Sequence, residues 1–122
     1  MSRIPYRYTL DDYQSSALTT AIYPDQGYFG GVIYATLGLA GEAGEISNKV
    51  KKLIRDKLME SSDSVGVADA AMLADELGDV LWYVAVLADE LGYSLSEIAE
   101  GNATKLRSRQ ERGKLGGSGD NR

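Results

Sequence analysis

The sequence predicts an all-α fold, a small four-helix bundle completed by oligomerisation. Three observations carry this. The two prolines, Pro5 and Pro24, both fall outside any long periodic segment, so nothing interrupts a helix after residue 24. Apolar residues recur at helical spacing over two segments of more than about 20 residues, too long for strands. Capping patterns stand where helices would begin, Thr9 with Asp12 and Ser94 with Glu97. With 122 residues, 43% hydrophobic and 25% charged, the chain is ordinary globular material, barely long enough for a core of its own.

In chain order, Thr9 caps a first short helix whose Leu10, Tyr13, Ala17 and Ala21 share a face, and Tyr23-Pro24-Asp25-Gln26-Gly27 ends it. A second helix runs from about Phe29 to Lys57. At about 100° per residue its Val32, Ala35, Leu39, Ile46, Val50 and Leu53 form one stripe that must face a core. The polar, Gly-containing stretch from Glu60 to Gly66 is a loop. A third helix, from about Ala68 to Leu91, contains Val80 to Ala88, apolar on every side. That run alone reads as a buried strand, but the helical spacing of its flanks makes it a helix at the centre of a bundle or an oligomer interface. Gly92 stops it, and a fourth helix follows from about Leu95 to Arg109 with Leu95, Ile98 and Leu106 as its inner face. Residues 1–111 form a single helical domain. Residues 112–122, with Gly113, Gly116, Gly117 and Gly119, read by composition as a mobile tail, while the backbone N–H groups of Gly116, Gly117 and Gly119 make it a candidate lid over an anion.

Composition narrows the chemistry. Eighteen acidic against thirteen basic residues give a formal charge of -5, so no overall basic field draws nucleic acid or an anionic membrane. The absence of Cys and His removes disulfides, thiolate nucleophiles, Ser-His-Asp triads and the usual zinc ligands. The N-terminus lacks the apolar core of a signal peptide and no apolar run approaches the roughly 18 residues that cross a bilayer. The expected setting is therefore cytoplasmic, or intracellular in an infected host cell, with neither nucleic acid nor membrane as partner.

The informative charges are those on faces that ought to be apolar. Glu42 lies about 40° from Ile46 inside the apolar stripe of the second helix. Glu45 borders the same stripe, and Lys49 falls between the two in angle. The third helix repeats the arrangement with Glu76 and Asp79, again at i and i+3, just before its all-round apolar run. Acidic pairs of this kind usually form a solvated face. Two of them on adjacent long helices, each beside an apolar stripe and bordered by Gly41, Gly44 and Gly78, point instead to a shared site. Unpaired carboxylates cannot be gathered there without positive charge. Lys49 neutralises one, and a hard divalent cation held by oxygen ligands neutralises more, with magnesium the best match in a chain without histidine. Asn102 and Lys105 project from the inner side of the fourth helix, either to meet a phosphate or simply to cap and to snorkel. Tyr13, Gln14, Tyr23, Tyr28 and Phe29 are candidates for contact with a nucleobase, although packing is the commoner role for such residues.

Gly38-Leu39-Ala40-Gly41-Glu42-Ala43-Gly44-Glu45, followed by Asp75-Glu76-Leu77-Gly78-Asp79-Val80-Leu81-Trp82-Tyr83, resembles the MazG family of nucleoside triphosphate pyrophosphohydrolases, whose hallmark is Glu-x-x-Glu, a spacer, then Glu-x-x-Asp. Asn102 to Leu106, Arg109, and the ending from Arg112 to Arg122 are similar to C-terminal stretches of that family. The resemblance implies an all-α fold, Mg²⁺ held by Glu42, Glu45, Glu76 and Asp79 with Mn²⁺ as a substitute, and a homodimer or homotetramer. It also implies cleavage of an NTP or dNTP between the α and β phosphates to the monophosphate and pyrophosphate. On that reading Glu45, with Glu42, serves the attacking water, and Lys49, Lys52, Asn102, Lys105 and Arg109 steady the phosphates. Three alternatives stay open: a specialised dUTP pyrophosphatase, a phosphoribosyl-ATP pyrophosphohydrolase on the same scaffold, and a non-catalytic helical dimerisation module.

Overall fold

A computed structural model of the chain describes residues 7–56 and 65–122. Four helices follow one another, α1 (Leu10–Leu18), α2 (Phe29–Arg55), α3 (Val67–Glu90) and α4 (Leu95–Glu111), with no strand among the described residues. The helix caps appear where the sequence places them. Thr9 and Asp12 form a reciprocal capping box at α1, and Ser94 and Glu97 form another at α4. Gly92, at φ 82°, takes the left-handed turn after α3, where Tyr93 N donates to Ala88 O and Gly92 N to Asp89 O, satisfying the last carbonyls.

Three local expectations are corrected. First, α1 stops at Leu18 instead of reaching Ala21, because the hydroxyls of Thr19 and Thr20 donate to Ser16 O and Ala17 O and draw the chain into a turn. Second, the last eleven residues are not free of structure. Lys114 N donates to Arg109 O, Arg109 Nη2 donates to Asp120 O at 2.9 Å and Arg112 Nη2 to Arg122 O at 3.1 Å, which folds the segment back on the end of α4. Gly113, Gly117 and Gly119 all have positive φ, so the glycines that suggested mobility serve tight turns. Third, of the inner face assigned to α4 only Leu95 is buried. Ile98 and Leu106 are 41% and 43% exposed, because α4 packs on α1 and α3 and makes no contact with α2. The expected 60–66 loop and Lys57 fall largely outside the described residues; Gly66, its last residue, caps α3.

α3 is the central element, as its all-round apolar run predicts: it packs against α2, α1 and α4. One core cluster joins Ala17, Ala85 and Leu95, with Tyr13, Trp82 and Val84 against it. A second joins Tyr23, Ala35 and Val86, with Leu18, Ala21, Trp82, Tyr83 and Leu87 against it. Trp82 belongs to both. Buried Gln14 ties three elements together: its amide nitrogen donates to Ala85 O and Tyr93 O, and its amide oxygen accepts from Leu95 N. With every buried polar atom of that side chain paired, Gln14 is a structural residue. The core is thin nonetheless. Among the described residues Val86 is the largest fully buried side chain, while Phe29, Ile33 and Leu37, one helical turn apart on α2, are 75%, 46% and 67% exposed.

Candidate metal centre and its pocket

The i, i+3 spacing sets Glu76 and Asp79 on one side of α3, and the packing of α2 along α3 brings Glu42 to meet them. Oxygens of Glu42, Glu76 and Asp79 lie within 4.8 Å of one another, close enough to share a cation. Glu42 and Glu76 are half-buried and Asp79 is exposed. Partial burial, then the charges of Asp79, Glu76 and Glu45, hold the Glu42 carboxyl above its ordinary range. Lys49 Nζ sits 2.8 Å from Glu76 Oε1, and this hydrogen bond strengthens the lysine's hold on its proton. One ammonium against three gathered carboxylates leaves negative charge unbalanced. An oxygen-only donor set of this kind fits a hard divalent cation.

The remaining sequence-predicted residues are placed as follows. Glu45 is exposed and stands beside the three-carboxylate cluster, near enough to raise Glu42 but outside the shared cation position. Lys52 is exposed on α2, one turn beyond Lys49. Asn102 is exposed on α4. Lys105 and Arg109 both engage Asp120, at 3.3 Å and 3.2 Å, and hold its carboxyl below the usual carboxylate range. The α4 cations thus meet the C-terminal segment rather than the acidic cluster.

A cavity of about 360 Å³ opens at the acids, lined by Thr20, Glu42, Asp79, Trp82 and Tyr83. Trp82 and Tyr83 follow Asp79 by three and four residues, so they share its face one turn along α3. That spacing was the available signal, hidden because both aromatics sit inside a run apolar on every side. Tyr83 lies directly over Gly38, which is itself one turn before Glu42 on α2. A Cβ at Gly38 would fall 2.1 Å from the Tyr83 ring. Burial, then neighbouring Tyr34 and Glu42, raise the Tyr83 phenol above its ordinary range. Tyr34 in turn stacks on Tyr23, with centroids 5.1 Å apart. The Tyr23 hydroxyl donates to Glu90, whose carboxylate also accepts from Gly27 N and so anchors the α1–α2 loop. None of the five candidate base-contact residues of the α1 region lines this cavity. Gln14 and Tyr23 are buried, Tyr13 packs on the core, and Tyr28 and Phe29 are exposed at the start of α2.

These features define a small all-α protein with a carboxylate cluster that fits a hard divalent cation, and comparison supplies its family. The model of the MazG nucleotide pyrophosphohydrolase domain matches residues 34–113, two thirds of the chain and all of the acidic cluster. The chain belongs to this family. It is also 49% identical over 120 residues to the Gene 37 protein of Mycobacterium phage L5, covering 93% of this chain and 98% of that protein. No solved structure matches it. Among the described residues no helix is long and apolar enough to cross a membrane.

Proposed function

We propose that the protein hydrolyses nucleoside triphosphates, deoxynucleotides foremost, between the α and β phosphates, releasing the monophosphate and pyrophosphate in the cytoplasm of the cell that houses it. The observation that carries this is the convergence of Glu42, Glu76 and Asp79 beside a cavity lined by Glu42 and Asp79 with Thr20, Trp82 and Tyr83. Glu42, Glu76 and Asp79 would hold Mg²⁺ or Mn²⁺, with Glu45 beside them. When bound, the cation would supply charge neutralisation on the phosphate oxygens.

The chain's own residues do the rest. Water adds to the α-phosphorus as its bond to the bridging oxygen breaks, and pyrophosphate leaves with that oxygen. Glu45, the acid outside the cluster, accepts the water's proton. Lys49, 2.8 Å from Glu76 at the edge of the cluster, is placed to turn to the phosphates, and Lys52 extends the same cationic side of α2. Asn102, Lys105 and Arg109 join when the triphosphate displaces the Asp120 carboxylate, with the C-terminal segment closing as a lid. A homodimer or homotetramer covers the exposed Phe29, Ile33 and Leu37 stripe. Sedimentation reads its stoichiometry.

The test is pyrophosphate release from the eight common nucleotides, dUTP and phosphoribosyl-ATP, in Mg²⁺, in Mn²⁺ and after chelation. Release confined to dUTP or to phosphoribosyl-ATP would select one of the specialised enzymes. No release from any of them, with no cation binding by calorimetry, would leave a helical dimerisation module. The lid is tested separately. Deletion of Gly113 to Arg122 is expected to raise KM or cut turnover with little change in Tm, since no residue of the segment belongs to either core cluster. Equal kcat/KM for the two proteins ends the lid.

A further inference from the structure

Three carboxylates gather at the centre, and one ammonium joins them. Lys49 stands on α2 two turns beyond Glu42, and its Nζ reaches across the α2–α3 interface to Glu76 Oε1 at 2.8 Å. Among the described residues this is the only ion pair with both partners less than a third exposed, 29% for Lys49 and 15% for Glu76. Partial burial matters here, because charges shielded from water act on one another more strongly than charges on an open surface. No other cation among the described residues lies within ion-pair distance of Glu42, Glu76 or Asp79. Farther along α2, Arg55 is taken by its neighbour Asp56 at 2.8 Å.

Resting on the reading of Glu42, Glu76 and Asp79 as a cation site, we infer that the Lys49 ammonium is the resident counter-ion of the cation-free centre, and that it weakens the centre's hold on a divalent cation. The two roles follow from one contact. Without Lys49, nothing among the described residues offsets the mutual repulsion of carboxylates whose oxygens lie within 4.8 Å of one another. With it, a positive charge is already committed to an oxygen of Glu76, where it competes with an incoming cation and repels it. The lysine therefore stabilises the empty centre and destabilises the loaded one. A lysine that only orients Glu76 would favour both states, so the sign of its effect on cation affinity separates the two roles.

The experiment titrates the chelator-stripped, full-length protein with Mg²⁺ and with Mn²⁺ alone, by calorimetry and without nucleotide, beside thermal unfolding in chelator. Lys49→Met is expected to tighten both cations by about tenfold after screening, and to lower Tm in chelator. Lys49→Gln lacks the charge but keeps a donor for Glu76, so it is expected to tighten cation binding likewise with a smaller loss of Tm. Lys49→Arg keeps the charge and is expected to retain the wild-type affinity. A Lys49→Met protein that is unfolded in chelator and folds when Mg²⁺ is added would support the inference, and Lys49→Gln then supplies the affinity. Cation binding by folded Lys49→Gln that is unchanged or weaker than wild type would overturn it. So would a Lys49→Arg protein that binds Mg²⁺ about tenfold more tightly than wild type, since charge would then not be the cause. No cation binding by any of the four proteins would remove the cation site and the inference with it. Cation binding without pyrophosphate release would fail the enzymatic reading alone and leave the affinities to decide the role of Lys49.

Discussion

Glu76→Gln is expected to lower Mg²⁺-dependent nucleotide hydrolysis by about a thousandfold while leaving the helical content unchanged. Glu76 is one of three carboxylates that converge within 4.8 Å. Converting it to the amide keeps its shape and removes one ligand charge. A correctly held metal ion contributes several kcal/mol to stabilising charge in phosphoryl transfer, and each 1.36 kcal/mol lost is about tenfold in rate. Glu42→Gln should cost activity to a similar degree, yet the two variants differ in stability. The Glu42 carboxyl is held above its ordinary range, so the folded chain binds this proton more tightly than the unfolded chain does. Its ionisation therefore weakens the metal-free fold, and the weakening appears as pH rises above the ordinary glutamate value of 4.5. Glu42→Gln is expected to raise Tm of the metal-free protein at pH 7, with the gain fading as pH falls toward 4.5. Glu76→Gln removes the carboxylate that Lys49 contacts at 2.8 Å, so its Tm should hold or fall slightly. Calorimetric scans of both apo variants at pH 7 and pH 4.5, alongside single-substrate kinetics, check all four signs. Wild-type turnover by either variant would remove that residue from the centre.

How much of this was legible in the sequence depends on how local each determinant is. The helices and their caps were, because a capping box or an apolar stripe is written within a few residues of where it acts. The acids were legible as misfits on apolar faces. Their division of labour was not: i, i+3 spacing puts Glu42 and Glu45 on nearly the same side of α2, and only the position of α3 decides that Glu42 joins the cluster. Trp82 and Tyr83 were hidden for the opposite reason. In a helix apolar all round, periodicity cannot separate residues that fill the core from residues that line a cavity, and here Trp82 does both. Ile98 and Leu106 fit an inner face by spacing, but α4 lacks α2 as a neighbour, which spacing cannot report. The C-terminal glycines suggested mobility because composition registers backbone freedom and not the Arg109 and Asp120 contacts that use it.

Gly38→Ala should destabilise the protein by about 1–3 kcal/mol, although alanine is intrinsically the better helix former by up to about 1 kcal/mol. Gly38 lies within α2, where a glycine needs a reason. The reason is Tyr83, whose Cε1, Cζ and Cδ1 would stand 2.1, 2.4 and 2.6 Å from an added Cβ, far inside van der Waals contact. The Tyr83 ring is half-buried, edge-on to Trp82 and engaged by Tyr34, so it cannot move without disturbing the wall of the cavity. Two effects should therefore appear together, a lower Tm and a raised KM for nucleotide, the second because Tyr83 lines the pocket beside Glu42 and Asp79. Removing the ring separates steric conflict from any general intolerance of α2. In a Tyr83→Ala background the three atoms nearest the added methyl are gone, the helix-propensity gain outweighs what conflict is left, and Gly38→Ala should become neutral or stabilising. The double-mutant cycle thus predicts a change of sign, read by denaturant unfolding of the four proteins. Equal destabilisation in both backgrounds would show that Gly38 is required for something other than seating Tyr83 against the acidic centre.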